Sequence, residues 1–139
     1  MYDRILVATD GSEHAETAAV HAIELARLAG ARLHVLCVVE TRTGYDSAIV
    51  EREAVRENLA AACGDAVERV RQRAADHGVP VETATEEGVP AECIADAVDA
   101  HDIDLVVLGE RGHSAFKTVL LGSTAEAVLY EVDVPVTVV

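Results

Sequence analysis

At 139 residues, half of them hydrophobic, the chain has the length of one domain, spanning 1–139, and enough apolar material for one core. Eleven basic residues against 25 acidic ones leave a net charge of −14, which repels nucleic acid and anionic lipid, and the single Phe116 argues against a base-stacking platform. No apolar run is long enough to cross a bilayer, and Met1 to Ile5 lacks the basic and apolar regions of a signal peptide, so a cytoplasmic protein with no membrane or nucleic-acid partner is expected.

Arg4 to Thr9 is a continuous apolar run, typical of a strand buried on both faces. Ser12 is placed to cap a helix, with Glu13 and Glu16 near its positive end. Ala15, Ala18, Ala19, Ala22, Ile23 and Ala26 form that helix's apolar stripe, and Gly30 stops it. A second strand follows from Leu33 to Val39. Thr41 to Ser47 reads as a loop, and a long helix is predicted from about Ile49 to His77, ending at Gly78. Val79-Pro80 opens a third strand that ends near Gly88. Pro90 starts a third helix running to about His101. Asp104 to Leu108 is a fourth strand, Ser123 to Glu131 a fourth helix and Pro135 to Val139 a fifth strand. This alternation specifies an α/β fold, a mostly parallel open sheet with helices on both faces.

Cys37, Cys63 and Cys93 are far apart in apolar contexts, with no CxxC pair and no metal-ligand spacing, so they read as small buried hydrophobes in a reducing compartment. The six histidines form no metal motif, and surface or capping roles are expected for all but His113. Acidic residues are spread along the whole chain and ten of the eleven basic residues are Arg, a pattern that fits a surface adapted to high salt, as in a halophilic, acidic proteome.

Ligands of open parallel sheets bind at the carboxyl ends of the strands, where the strand order reverses. The fourth strand delivers Gly109-x-x-Gly112, nine residues, then Gly122-Ser123-Thr124 at a helix start. Glycines let the backbone approach an anion, helix-start N–H groups attract negative charge, and Ser123 and Thr124 add hydroxyl donors. Arg111, His113 and Lys117, the only lysine, make this the most cationic stretch of an acidic chain. The P-loop pattern GxxxxGK[ST] and a GxGxxG after the first strand are absent, which disfavours standard P-loop hydrolysis and dinucleotide binding.

These residues resemble the universal stress protein family over essentially the whole chain. The likeness is carried by Ile5 to Ser12, Leu33 to Val39, Asp104 to Gly109, the G-x2-G-x9-G-[ST] loop at Gly109, Gly112, Gly122 and Ser123, and the closing Val134 to Val139. The resemblance implies a five-stranded sheet of order 3-2-1-4-5, a Rossmann-like fold akin to the adenine nucleotide α hydrolases. It implies ATP, or ADP or AMP, bound with Gly109, Gly112, Gly122, Ser123 and Thr124 around ribose and phosphates. Asp10 would lie beside them and contact Mg²⁺, while Ala8, Thr9 and Val38 would border the adenine. Arg111 fills a variable position of the motif. The resemblance further implies a homodimer through Val134 to Val139.

Three functions follow as alternatives. One is an ATP-binding stress-response or signalling module with little or no turnover, acting on an unknown protein partner. Another is a slow ATPase or adenylyl-transferring enzyme, which the lack of an evident general base and of a second substrate-binding region disfavours. The third is a dimeric scaffold with an unoccupied nucleotide site.

Overall fold

Among residues 1–40, 52–109 and 123–139, which the computed structural model describes, nine elements alternate. They are β1 (Arg4–Ala8), α1 (Glu13–Ala29), β2 (Arg32–Glu40), α2 (Arg52–Asp76), β3 (Val81–Gly88), α3 (Pro90–Ala100), β4 (Leu105–Leu108), α4 (Ser123–Glu131) and β5 (Val136–Val138). The strands form one parallel sheet in the order β3-β2-β1-β4-β5. The glycine loop from Glu110 to Gly122, with Arg111, Gly112, His113 and Lys117, lies outside the described residues, as does the segment 41–51.

Alternation along the inner strands builds two cores. Ile5 and Val7 of β1, Leu33, Val35, Cys37 and Val39 of β2, and Leu105 and Val107 of β4 face α1 and α2. Leu6, Leu36, Val106 and Leu108 face α3 and α4, where Ile94, Val98 and Val128 meet them. Each fully buried aliphatic side chain contributes roughly 1.5–3 kcal/mol. The stripe predicted for α1 is the buried one, residue for residue, and the Ser12 hydroxyl accepts from the Ala15 N–H at 3.2 Å. The last residue of β1 is Ala8, one short of the predicted end, and Thr9 turns out of the strand while its N–H still donates to the Leu36 carbonyl at 2.9 Å. A side-chain tie locks β1 to β4 at the other end. The Asp104 carboxylate accepts from the Asp3 N–H at 2.9 Å and the Arg4 N–H at 3.3 Å.

Two sequence expectations are corrected. Cys37 and Cys63 are buried, as expected, but they are joined in a disulfide, with Cα atoms 5.5 Å apart. Residues 26 apart in sequence meet because α2 folds back across β2, which linear spacing does not encode. Cys93 is the free buried thiol among the described residues.

His34 is likewise not at the surface. It is 8% exposed, on the β2 face that looks toward α3. Its ring lies 5.1 Å from that of His101, centroid to centroid, and its Nδ1 is 3.4 Å from a Glu82 carboxylate oxygen. Its Nε2 is buried without a hydrogen-bond partner among the described residues. Burial holds the His34 pKa below 6.5; Glu82 opposes this, while His101, Arg32 and Arg4 reinforce it. The fold therefore favours the neutral ring, whereas the unfolded chain takes up a proton below about pH 6.5. Stability is expected to be full above that pH and to decline as pH falls toward the lowered native value. Denaturant titrations from pH 7.5 to 5 should show this decline in the wild type and a shallower one in His34→Gln.

Candidate functional site

The order β3-β2-β1-β4-β5 reverses between β1 and β4, which pair directly through Ile5–Leu105, Leu6–Val106 and Val7–Val107. The helix after β1, α1, packs on one face of the sheet and the helix after β4, α4, on the other, so their carboxyl ends are the switch point at which open parallel sheets form a ligand crevice.

The exit from β1 is a tightly bonded turn. Thr9 is buried, and its hydroxyl accepts from the Gly11 N–H at 3.1 Å. Asp10 is exposed, and its Oδ1 accepts from the Ser12 N–H at 2.9 Å. Gly11 takes φ +81°, a left-handed conformation suited to glycine. The turn thus fixes Asp10 at the mouth of the crevice and feeds straight into the capped start of α1.

Gly109 completes the crevice from the β4 side. A Cβ at this position would lie 2.9 Å from the His14 carbonyl carbon and oxygen and 3.2 Å from the Ala15 nitrogen. Glycine is required here because the backbone leaving β4 rests on the first turn of α1. The first residue of the glycine loop is thereby held against the helix that follows Asp10.

Of the residues singled out in the sequence, Ala8, Thr9, Asp10, Val38 and Gly109 gather at this end of the sheet. Ala8 and Val38 are half-buried on the same face of adjacent strands, leaving an apolar wall beside the turn. Ser123 opens α4, and half-buried Thr124 sits in its first turn. A helix that returns between two parallel strands starts at their carboxyl ends, so α4 directs its N-terminal N–H groups to this side. Arg111, Gly112, His113 and Gly122 lie outside the described residues. Among the described residues no group of three or more His, Cys, Asp or Glu is placed to hold a metal ion.

Sequence reasoning missed one neighbour of the site. Arg69, on α2, packs over the β1–α1 turn, its guanidinium 3.6 Å from where a Gly11 Cβ would stand, and it pairs with Glu16 at 3.2 Å. Nothing in the charge pattern of α2 distinguishes Arg69 from its other arginines; only the packing of α2 against α1 does.

Comparison with known proteins agrees with this fold. The family model described as "Universal stress protein family" matches residues 1–139. A universal stress protein of Thermus aquaticus is 39% identical over 141 residues, covering all of this chain and 99% of that protein. The structure of the universal stress protein UspA from Lactobacillus plantarum superposes with a TM-score of 0.90 at 29% identity, over 99% of this chain and 97% of the other. A universal stress protein crystallised in complex with cAMP shares the fold, with a TM-score of 0.75 at 23% identity over 99% of this chain and 97% of that one. None of the helices among the described residues is long and apolar enough to cross a membrane. The chain belongs to the universal stress protein family.

Proposed function

We propose that this protein binds an adenine nucleotide, ATP, in the crevice between β1 and β4, and serves as a cytoplasmic stress-response or signalling module with little or no turnover. The observation that supports this most directly is the seating of Gly109 on the His14–Ala15 backbone. It sets the start of an anion-suited loop beside Asp10 and opposite the apolar wall of Ala8 and Val38. Thr9 and that wall would take the adenine. Gly109, Gly112, Gly122, Ser123 and Thr124 would take ribose and phosphates, with Arg111 and His113 alongside. A universal stress protein crystallised in complex with cAMP supports this reading over an empty scaffold.

Mg²⁺ fits the site only as an ion shared with the nucleotide. The Asp10 carboxylate would be its protein ligand, and phosphate oxygens and water would supply the rest. A second copy of the chain would pair along residues 134–139, where Val136, Thr137 and Val138 of the edge strand β5 are only half-buried.

The test begins with the purified protein, denatured and chromatographed for released nucleotide. Calorimetric titration with ATP, ADP, AMP and cAMP should then give saturable binding with ATP tightest; no binding of any of them would overturn the proposal. Asp10→Asn keeps the oxygen that accepts from Ser12 but removes the charge. It is expected to weaken Mg-ATP binding about tenfold, the loss of one charge-assisted contact, while affecting ATP in chelator far less. Sustained hydrolysis abolished by Asp10→Asn would instead favour the slow ATPase.

A further inference from the structure

The packing of α2 is uneven along its length. Residues 53–62 contribute no fully buried side chain: all are exposed except the half-buried Val55. The buried stripe begins at Cys63 and continues through Ala66, Val67, Val70 and Ala74, which sit among the sheet's apolar side chains. The Cys37–Cys63 bond therefore stands at the boundary between a packed and an unpacked half of one helix. Beyond it, among the described residues, Arg56 pairs with Glu87 of β3 at 3.3 Å, but both side chains are nearly half exposed and such a pair is weak.

Cys37 precedes Val38 directly, and the two side chains project to opposite faces of β2. Cys37 faces α2, whereas Val38 belongs to the face that includes the apolar wall of the crevice. A covalent bond on one face thus fixes the strand whose other face borders the proposed nucleotide. The bonded cysteines are only 3% and 6% exposed. Among the described residues, 53–62 are the part of α2 that contributes no buried side chain, and their opening would give access to the pair.

We propose that Cys37 and Cys63 are a reversible redox pair that clamps α2 onto β2 when oxidised, and that release of the clamp alters nucleotide affinity through Val38. Oxidation by a hydroperoxide balances without a further co-reactant. One thiolate attacks the peroxide oxygen, giving a sulfenic acid and releasing water or alcohol. The second thiol then displaces hydroxide from that sulfur, which leaves as water, and the S–S bond forms. A dithiol reverses the step by exchange, being itself oxidised to a disulfide. Cys93 takes no part. It lies in the core on the other face of the sheet, among the side chains of α3 and α4, away from Cys37 and Cys63.

The coupling to affinity rests on the nucleotide reading above; the clamp itself does not. The wild-type chain is prepared reduced with dithiothreitol, then reoxidised with hydrogen peroxide. Thiol labelling under denaturing conditions should find three free thiols before oxidation and one after, with peptide mapping placing the bond at Cys37–Cys63. Amide hydrogen exchange of residues 53–62 should be at least fivefold faster in the reduced form. Cys63→Ser and, as a second variant, Cys37→Ser should exchange like the reduced wild type under either condition, whereas Cys93→Ser should retain the difference. ATP affinity should change at least threefold between the two states. Equal exchange in both states, or a bond that forms to Cys93, overturns the clamp. An exchange difference with identical ATP affinity overturns the coupling. Absence of ATP binding in both states is the failure of the nucleotide reading, and the exchange result then decides the clamp alone.

Discussion

Gly109→Ala is expected to destabilise the protein by about 2–3 kcal/mol, the usual cost of forcing one carbon into a filled space. The added Cβ would meet the His14 carbonyl group at 2.9 Å, and no rotamer change relieves a clash with helix backbone. Either α1 shifts away from β4 or the chain leaving β4 is pushed outward, and both movements widen the crevice. Nucleotide affinity should therefore fall along with stability. Gly64→Ala is the matched control. Gly64 lies inside α2, a Cβ there meets nothing within 4 Å, and the same substitution should stabilise by up to about 1 kcal/mol through helix propensity. Denaturant midpoints for the two variants should move in opposite directions from the wild type. Movement in the same direction would contradict the packing of Gly109 on α1.

Reduction of the Cys37–Cys63 bond should lower stability by about 2–4 kcal/mol, because the bond closes a loop across a sequence separation of 26 and restricts the unfolded chain. Midpoints measured with and without dithiothreitol should differ by that amount in the wild type. They should coincide in Cys37→Ser, which should match the reduced wild type. This global effect is separate from the local opening of α2: the first reports on the unfolded ensemble, the second on how the native helix breathes.

Local chemistry made most of the fold legible. Ser12, the alanine stripe of α1 and Gly30 specify that helix without any knowledge of its neighbours, and the apolar runs of β1, β2 and β4 mark strands covered on both sides. The boundaries moved by a residue or two, as at Thr9, where the hydroxyl and Gly11 bend the backbone out of the ladder. The strand order was read through family resemblance, since alternation alone does not distinguish 3-2-1-4-5 from other doubly wound orders. Ala8, Thr9, Asp10, Val38 and Gly109 could be assigned to one end of the sheet because each leaves or nears the carboxyl end of its strand. What Gly109 touches was not legible. The motif presents it as a glycine for a ligand, whereas in the structure its missing side chain makes room for α1.

Pairing across space is where one-dimensional reasoning stopped. Nothing near Cys37 marks Cys63 as its partner, and nothing near His34 announces His101 and Glu82. Both surprises arise from β2, an inner strand whose two faces meet different helices. Its neighbours are fixed by tertiary packing and not by flanking sequence.

The edge strand β3 has the reverse character. Its backbone is paired with β2 from Val81 to Gly88, while every side chain from Glu82 to Glu87 is exposed. The ladder that holds this strand is indifferent to most of what the strand displays. Thr83, Ala84, Thr85 and Glu86 can thus be exchanged for residues of other shape and charge with small consequences for folding, whereas the same liberty in β1 would collapse both cores. The sheet keeps one flank as open text, where variants of this protein can acquire new surface identities without renegotiating the fold beneath.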